Sequence, residues 1–256
     1  MANSYLQKIF IKIGYGFIFC NICGGLRKIK IKSSNLREDC LCKRCKSNSR
    51  KRHLALVILE TVYNNAYKSF KEIHKNSEFK IFNTESNGAI HDYLKHVNNY
   101  VCSEYFGPYE TFGKEKDGVL NIDLMDIPFN ENIFDLVIST EVFEHIPDPY
   151  KAFKEVHRIL KPGGRHIFTV PFYDNKEKDE VRSVLNDKNE IVYLLEPQYH
   201  GDPIRSEDGV LVYTIFAKEM IGKLEKLGFS VITDLHTAGK NGIFGLSYVF
   251  SAIKNA

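Results

Sequence analysis

The chain has 256 residues, 43% of them hydrophobic, and a formal net charge of +3, which suits one sizeable globular domain with a small appendage. A membrane-spanning helix needs roughly eighteen uninterrupted apolar residues, and lysines interrupt even the most apolar stretch, residues 4–19. No small-residue cleavage site follows Phe19, so we expect no secretory signal, no membrane insertion and a cytoplasmic protein. In that compartment the six cysteines are expected to be thiols or metal ligands and not disulfides.

The first 52 residues are strongly basic. They hold thirteen Lys or Arg and two acids, a net charge of +11, which leaves −8 for the rest of the chain. Such asymmetry indicates a segment that meets phosphate or another anionic surface, which makes nucleic acid a candidate partner. The alternative is a basic segment that docks on the acidic body of its own chain.

Two Cys-x2-Cys pairs lie in this basic segment, Cys20 with Cys23 and Cys42 with Cys45, and eighteen residues separate the pairs. The spacing predicts a four-cysteine zinc site, because each tight turn directs two thiolates at one ion. Four protein ligands leave no open position, so the zinc is predicted to be structural and to supply folding energy to a segment with little core. Cys40 is an alternative to Cys42 as third ligand, and unliganded reduced cysteines are the alternative to a metal site.

A helix is predicted after the second pair, with its N-cap at Asn48 or Ser49. Arg50, Lys51 and Arg52 then lie at its start, where basic side chains oppose the helix dipole unless an anion joins them. We divide the chain into a basic zinc-binding segment (1–52), a connecting helix (53–75) and a main domain (76–256) with an inserted loop at 172–213.

The main domain reads as alternating strands and helices. Periodicity and buried apolar runs predict helices over 88–97 and 216–227 and one opened by Asp148 and Pro149 that ends before Lys161. Strands are predicted over 79–83, 100–104, 119–122, 134–139, 165–171, 229–235 and 243–253. The fold class is therefore α/β, a Rossmann-like, doubly wound, mostly parallel sheet of seven strands with the zinc-binding segment at its N-terminus.

Residues 126–171 (DIPFNENIFDLVISTEVFEHIPDPYKAFKEVHRILKPGGRHIFTVP) resemble the segment between the fourth and fifth strands of class I S-adenosylmethionine-dependent methyltransferases, in particular the type 11-like ones. The cysteine pairs and the following SNSRKRH also resemble a short zinc-binding segment that precedes the catalytic domain in a subset of them. The resemblance implies S-adenosylmethionine as cofactor and transfer of its methyl group to an acceptor.

Cofactor residues are expected where the strands end. Glu104 follows Asn83 by 21 residues, the distance at which nucleotide-binding folds place an acid for the ribose hydroxyls; the alternative is a solvated strand end. The family's glycine-rich first loop is here Asn83 to Gly88 with one glycine, and Glu85 either meets the cofactor's ammonium group or caps the next helix. By resemblance, Asp123 accepts from the adenine amino group and Leu124 covers the ring.

Further polar residues follow the fourth strand. Thr140 and Glu141 are expected at the cofactor, while His145 is either a general base or a structural hydrogen-bonding group. The inserted loop 172–213 is expected to lie above the crevice and choose the methyl acceptor. Its candidate acceptor-binding residues are Tyr173, Tyr199, His200 and Asp202.

The sequence thus predicts a methyltransferase that acts on a small molecule, a sugar or a nucleic acid, with the oligomeric state left open. One alternative is a binding module that kept the fold, lost catalysis and uses the basic zinc segment to bind an anionic partner. A nicotinamide-dependent dehydrogenase is disfavoured because its glycine fingerprint is missing.

Overall fold

The computed structural model describes residues 14–107, 110–201, 209–236 and 240–256. Within these ranges the helices are α1 (Ser49–Thr61), α2 (Gly88–Leu94), α3 (Pro149–Ile159) and α4 (Glu219–Lys226). Short 3-10 turns span Phe70–Glu72, Phe143–His145 and Lys240–Gly242. The strands are β1 (Tyr15–Phe19), β2 (Leu26–Lys30), β3 (Leu41–Cys42), β4 (Ile81–Asn83), β5 (Tyr100–Glu104), β6 (Glu115–Lys116), β7 (Val119–Asn121), β8 (Phe134–Thr140), β9 (Leu160–Thr169), β10 (Phe172–Tyr173), β11 (Glu180–Val181), β12 (Ser183–Leu185), β13 (Ile191–Tyr193), β14 (Tyr199–His200), β15 (Val210–Leu211), β16 (Thr214–Ala217), β17 (Phe229–His236) and β18 (Ser247–Lys254).

The main sheet has the order β17-β18-β9-β8-β4-β5-β7-β6. Strands β4, β5, β7, β8 and β9 are parallel, while β18 pairs antiparallel with β9 and β17, and β6 pairs antiparallel with β7. The Rossmann-like α/β prediction is confirmed, and the two-residue edge strand β6 adds an eighth strand to the predicted seven. Because the parallel strands share one direction, their carboxyl ends meet at one edge of the sheet.

The β8–α3–β9 unit forms the centre of this sheet. Asp148 caps α3 by accepting a hydrogen bond from the Lys151 amide (3.0 Å), and Pro149 stands in the first turn, where its missing N–H costs nothing. The helix then buries Phe153 and Val156 against the sheet. At Gly164 the backbone of Phe134 approaches so closely that an added Cβ would lie 3.0 Å from its carbonyl oxygen, so a side chain there would push β8 and β9 apart.

Three predicted helices have wrong boundaries. The connecting helix, predicted to extend to residue 75, ends at Thr61. Phe216 lies in β16, where it pairs with Phe172 of β10, and the helix begins at Glu219. The helix predicted over 88–97 ends at Leu94. The inserted loop also holds six short strands, β10 to β15, so its described part is more ordered than a loop.

The N-terminal segment packs directly on the main sheet. Strands β1, β2 and β3 form an antiparallel sheet, and its buried cysteines share one hydrophobic cluster with Leu136 and Ile138 of β8. Helix α1 contacts β9 and β18. The predicted boundaries at residues 52 and 75 stay predictions, but the apolar core is continuous across them. Within the described residues, no helix is long and apolar enough to cross a membrane.

Candidate cofactor site and cysteine cluster

The two cysteine pairs converge on one point. The sulfur atoms of Cys20, Cys23, Cys42 and Cys45 all lie within 4.8 Å of one another. Cys20 Sγ is 3.7 Å from Cys45 Sγ, and Cys23 Sγ is 3.8 Å from Cys42 Sγ. A tetrahedral zinc ion with Zn–S bonds of about 2.3 Å sets its sulfurs about 3.8 Å apart. The cluster therefore fits zinc, and its sulfurs are too far apart for disulfides.

Cys40 lies outside this cluster. Its carbonyl accepts a hydrogen bond from Arg52 (2.9 Å), and burial raises the pKa of its thiol to about 12. A thiol that stays protonated is a poor metal ligand. The structure therefore favours Cys42 as the third ligand.

The buried guanidinium of Arg52 lies behind the cluster. The side chain is fully buried and donates to the carbonyls of Ser47 (2.6 Å), Cys40 (2.9 Å) and Gly242 (2.6 Å). Burial lowers the pKa of Arg52, whereas the nearby cysteine thiolates raise it. Four thiolates around one Zn²⁺ carry a net charge of −2 and would supply the counter-charge that a buried guanidinium needs.

The first loop of the main domain is fixed by polar contacts. The Asn83 side chain, fully buried at the end of β4, donates to the Glu85 carbonyl (2.8 Å) and to Tyr100 Oη (2.9 Å). Glu85 Oε1 accepts from Thr140 Oγ1 at the end of β8 (2.6 Å) and lies 3.4 Å from Lys51 Nζ. The N-cap of α2 is Asn87, so the alternative that Glu85 caps this helix is wrong.

Glu104 and Asp123 lie at neighbouring strand ends. Glu104, the last residue of β5, accepts at Oε1 from the amide of Ser86 (2.8 Å) and from its hydroxyl (2.9 Å). The Ile122 amide donates to the Glu104 carbonyl (2.9 Å), which ties the end of β7 to that of β5. Asp123 Oδ1 accepts from the Met125 amide (2.8 Å) and so shapes the turn. Leu124 is 8% exposed and packs in the same hydrophobic cluster as Phe82 and Ile127.

Glu141 is held by the N-terminal segment. Its Oε1 lies 2.7 Å from Arg37 Nη2 and 3.8 Å from Arg50 Nε, and Arg50 also pairs with Glu38 (2.8 Å). Burial acts to raise the pKa of Glu141, but Arg50 and Arg37 outweigh it and hold that pKa below its ordinary value. The backbone of Glu141 has φ +55°, a left-handed conformation that is uncommon for residues other than Gly, Asn and Asp.

The acceptor-side predictions fall into two groups. His145 and His200 come together, with ring centroids 5.2 Å apart, beside the buried carboxyl group of Glu144. Tyr173 and Tyr199 lie on the surface, 40% and 50% exposed. Asp202 lies outside the described residues.

Sequence reasoning left Arg37 out of the site and gave Arg50 and Lys51 no partner. The structure brings all three to the carboxyl ends of the main sheet, where their partners are Glu38, Glu85 and Glu141. The signal was present in the charge distribution, because a segment of +11 precedes a body of −8. The anions beside the start of α1 thus belong to the chain itself.

Comparison with known proteins finds a family model that matches part of the chain. Residues 87–168 match the family model described as a methyltransferase domain of type 11. Among curated relatives, the sarcosine/dimethylglycine N-methyltransferase of Halorhodospira halochloris is 29% identical over 87 residues, 34% of this chain and 31% of the relative. The cycloartenol-C-24-methyltransferase of Arabidopsis thaliana is 34% identical over 86 residues, 30% and 26% of the two chains.

The sterol 24-C-methyltransferase of Schizosaccharomyces pombe matches over more of this chain, with 32% identity over 141 residues, 55% of this chain and 32% of the relative. The chain thus spans about a third or less of the length of these three relatives. Among solved structures, an S-adenosylmethionine-dependent methyltransferase from Mesorhizobium loti aligns with a TM-score of 0.44 and 13% identity, covering 71% of this chain and 94% of that one.

The matched segment contains α2, β5, β8 and α3 and most of β9, the strands and helices that carry most of the candidate cofactor site. Residues 87–168 of the chain are therefore similar to a methyltransferase domain of type 11, and a four-cysteine segment precedes them.

Proposed function

We propose that the chain binds S-adenosylmethionine across the carboxyl ends of β4, β5, β7 and β8 and transfers its methyl group to an acceptor. One observation carries the proposal. Glu104 ends β5 and Asp123 follows the end of the neighbouring strand β7, and the hydrogen bond from the Ile122 amide to the Glu104 carbonyl (2.9 Å) links the two strand ends. Glu85 and Thr140 lie along the same edge, joined by a hydrogen bond of 2.6 Å.

The adenosine half would lie over β5 and β7. Glu104 would accept from the ribose hydroxyls, as acids at this strand end do in nucleotide-binding folds. Asp123 would accept from the adenine amino group, and Leu124 would form the apolar floor of the ring. Asn83 would act indirectly, since its amide fixes the loop that carries Glu85.

The methionyl half is matched by a pair of opposite charges. Glu85 and Lys51 lie 3.4 Å apart, and each side chain is 19% exposed. The cofactor presents an ammonium and a carboxylate on one carbon atom, so Glu85 would meet the former and Lys51 the latter. This pair would provide part of the cofactor binding that a glycine-rich loop provides in relatives.

Methyl transfer from a sulfonium asks mainly for positioning, which contributes roughly 7 to 11 kcal/mol to lowering a barrier. A base is needed where the acceptor is a hydroxyl, and His145 is the candidate because it ends the turn that follows β8 and its side chain is partly exposed. Thr140 and Glu141 would line the methyl side. Tyr173, Tyr199 and His200 are the candidate acceptor residues of the inserted segment.

We propose a small molecule or sugar as acceptor. The names of the relatives, which act on sarcosine and dimethylglycine or on sterols, support a small acceptor. Arg37, Arg50 and Lys51 pair with carboxylates of the chain, which leaves fewer basic side chains to bind the phosphates of a nucleic acid. An RNA acceptor predicts a steep loss of RNA binding with rising salt, and a flat response favours the small acceptor.

The cysteine cluster is proposed to hold a structural zinc ion. Cys20, Cys23, Cys42 and Cys45 would complete its tetrahedron, and no ligand position would remain for catalysis. The zinc would fix the segment that delivers Arg37, Arg50 and Lys51 to the crevice.

Calorimetric titration with S-adenosylmethionine tests the proposal. We expect one site on the wild-type chain and a loss of affinity of at least about tenfold, or 1.4 kcal/mol, in Glu104→Gln. The matched control is Glu115→Gln, an exposed acid on the edge strand β6, which should bind as the wild type does. Absence of binding by the wild-type chain would favour the non-catalytic module instead.

A further inference from the structure

The carboxyl group of Glu144 is buried and accepts no hydrogen bond from any described residue. It lies in the 3-10 turn that follows β8 and is fully buried. Neither of its oxygens has a hydrogen bond within the described residues, and the nearby Arg37 and Arg50 are paired with Glu38 and Glu141. An unpartnered buried carboxyl costs several kcal/mol, so its retention calls for a ligand that the described residues do not supply.

Two imidazoles face this carboxyl group. His145 Nε2 lies 3.7 Å and His200 Nδ1 3.9 Å from Glu144 Oε1. Both distances exceed those of hydrogen bonds. The two histidines come from different parts of the chain, one after β8 and the other in β14 of the inserted segment. Their convergence therefore depends on how the insert folds over the crevice.

The ring nitrogens of His145 are arranged as in metal sites. His145 Nδ1 lies 2.8 Å from the Leu211 carbonyl, and because a carbonyl only accepts, Nδ1 carries the proton. Nε2 is then the nitrogen with the lone pair, and it is the one beside Glu144. Histidines that bind metals usually donate their second N–H to a carbonyl or carboxylate in this way. The Gln198 amide lies 3.1 Å from His200 Nε2 through its nitrogen. If ion binding is accompanied by a rotation of this amide, its oxygen would accept the Nε2 proton and leave the lone pair of His200 on Nδ1, beside Glu144.

The two separations from the Glu144 carboxyl group also fit one ion. Bonds of about 2.0 to 2.2 Å to nitrogen and oxygen allow two ligands of one ion to lie at most about 4.4 Å apart. The two separations from Glu144 meet this limit. The separation of the two imidazole nitrogens is bounded at 4.8 Å and would have to lie within the limit when an ion is bound. The His145 and His200 side chains are 16% and 33% exposed, so the open positions of an ion here would face the crevice.

We propose that Glu144, His145 and His200 bind one divalent ion of the manganese, iron, cobalt and zinc class, separate from the four-cysteine site. Two imidazoles and one carboxylate with open positions suit such ions better than magnesium or calcium. If the proposed methyl transfer holds, the ion would bind an acceptor hydroxyl and lower its pKa. His145 would then be an ion ligand and not the base, so the hydroxyl proton would pass to solvent. The oxygen would attack the methyl carbon, and the C–S electron pair would return to sulfur.

Manganese binding tests the site without relying on activity. Mn²⁺ accepts carboxylate and imidazole ligands, whereas thiolates select zinc, so full-length chain with its cysteine site loaded with zinc is titrated with Mn²⁺. Electron paramagnetic resonance measures free Mn²⁺. We expect one bound Mn²⁺ per chain, and at least a tenfold weaker affinity in Glu144→Gln and in His200→Asn.

The control is His157→Asn, because His157 is a half-buried histidine of α3 that packs on Phe229 outside the cluster; it should bind Mn²⁺ as the wild type does. Because His200 is partly exposed, His200→Asn keeps the test valid if Glu144→Gln fails to fold. Wild-type chain that takes up no Mn²⁺, or variants that bind it equally well, would overturn the site. Titration of the same samples with S-adenosylmethionine shows separately whether the proposed methyl donor binds.

Discussion

Removal of the Arg50 guanidinium should destabilise the whole chain, because this side chain joins the N-terminal segment to the sheet. Arg50 is 7% exposed, pairs with Glu38 (2.8 Å) and Glu141 (3.8 Å) and donates to Thr169 Oγ1 (3.2 Å). Removing one partner of a buried ion pair costs about 3 to 5 kcal/mol.

The lower end of that range applies to Arg50→Met. Arg37 stays beside Glu141, and the Glu38 side chain is 36% exposed, so water can solvate part of what the substitution leaves unpaired. A loss of about 3 kcal/mol corresponds to a fall in Tm of roughly 6 to 12 °C for a chain of this size. Thermal unfolding of the zinc-loaded protein at neutral pH measures it.

Two controls isolate the ion pair. Lys95→Gln breaks the surface pair with Asp92, whose side chains are both 54% exposed, and should cost less than about 0.5 kcal/mol. The double variant Arg50→Met with Glu141→Gln should be less destabilised than the sum of the single variants, since the second change removes the stranded charge. A Tm for Arg50→Met within roughly 2 °C of wild type would refute the reasoning.

The same pair gives stability a pH dependence. The pKa of Glu141 is lowered in the folded chain, since Arg50 and Arg37 outweigh the effect of burial. A carboxyl whose folded-state pKa is lowered contributes its full stabilisation above the unfolded-state pKa and loses it as the pH falls. Stability of Arg50→Met should therefore fall less steeply in acid than that of the wild type.

Two further predictions concern the cysteines and a buried histidine. Cys42→Ala should lose bound zinc by elemental analysis while Cys40→Ala keeps one zinc per chain, and equal zinc in both variants would contradict the assignment of Cys42. Burial lowers the pKa of His166 to about 3. Below the ordinary pKa of histidine, His166 is therefore protonated in the unfolded chain but stays neutral in the folded chain. Between pH 7 and 5 this lowers the free energy of unfolding of the wild type by about 2 kcal/mol. Urea unfolding should therefore show a shallower dependence of that free energy on pH in His166→Gln than in the wild type, and equal dependence in the two proteins would contradict the prediction.

The central unit of the fold was predictable because its signals are local. The buried run of β8, the Asp148–Pro149 start of α3 and the glycines before β9 each act within a few residues. Strands of two or three residues such as β10 and β14 are too short to show a periodicity in the sequence. Phe216 was assigned to a helix for this reason, because its spacing fitted the helix that begins three residues later.

The candidate site was only partly predictable, for a different reason. The cysteine spacing is a local pattern, and strand ends follow from the fold class. The contact between Arg37 and Glu141 joins residues 104 positions apart, and the approach of His200 to Glu144 depends on the path of the insert. The charge distribution indicated that basic residues of the N-terminal segment pair with acidic groups, but it did not indicate which acidic residues of the chain are their partners.

A crystal structure of the full chain with S-adenosylhomocysteine, the demethylated cofactor, tests the central claim most directly. The account predicts the adenine and ribose between Asp123 and Glu104, with the amino-acid end between Glu85 and Lys51. Cofactor density away from these strand ends, or a crevice still closed by the chain's own side chains at saturating cofactor, would contradict it.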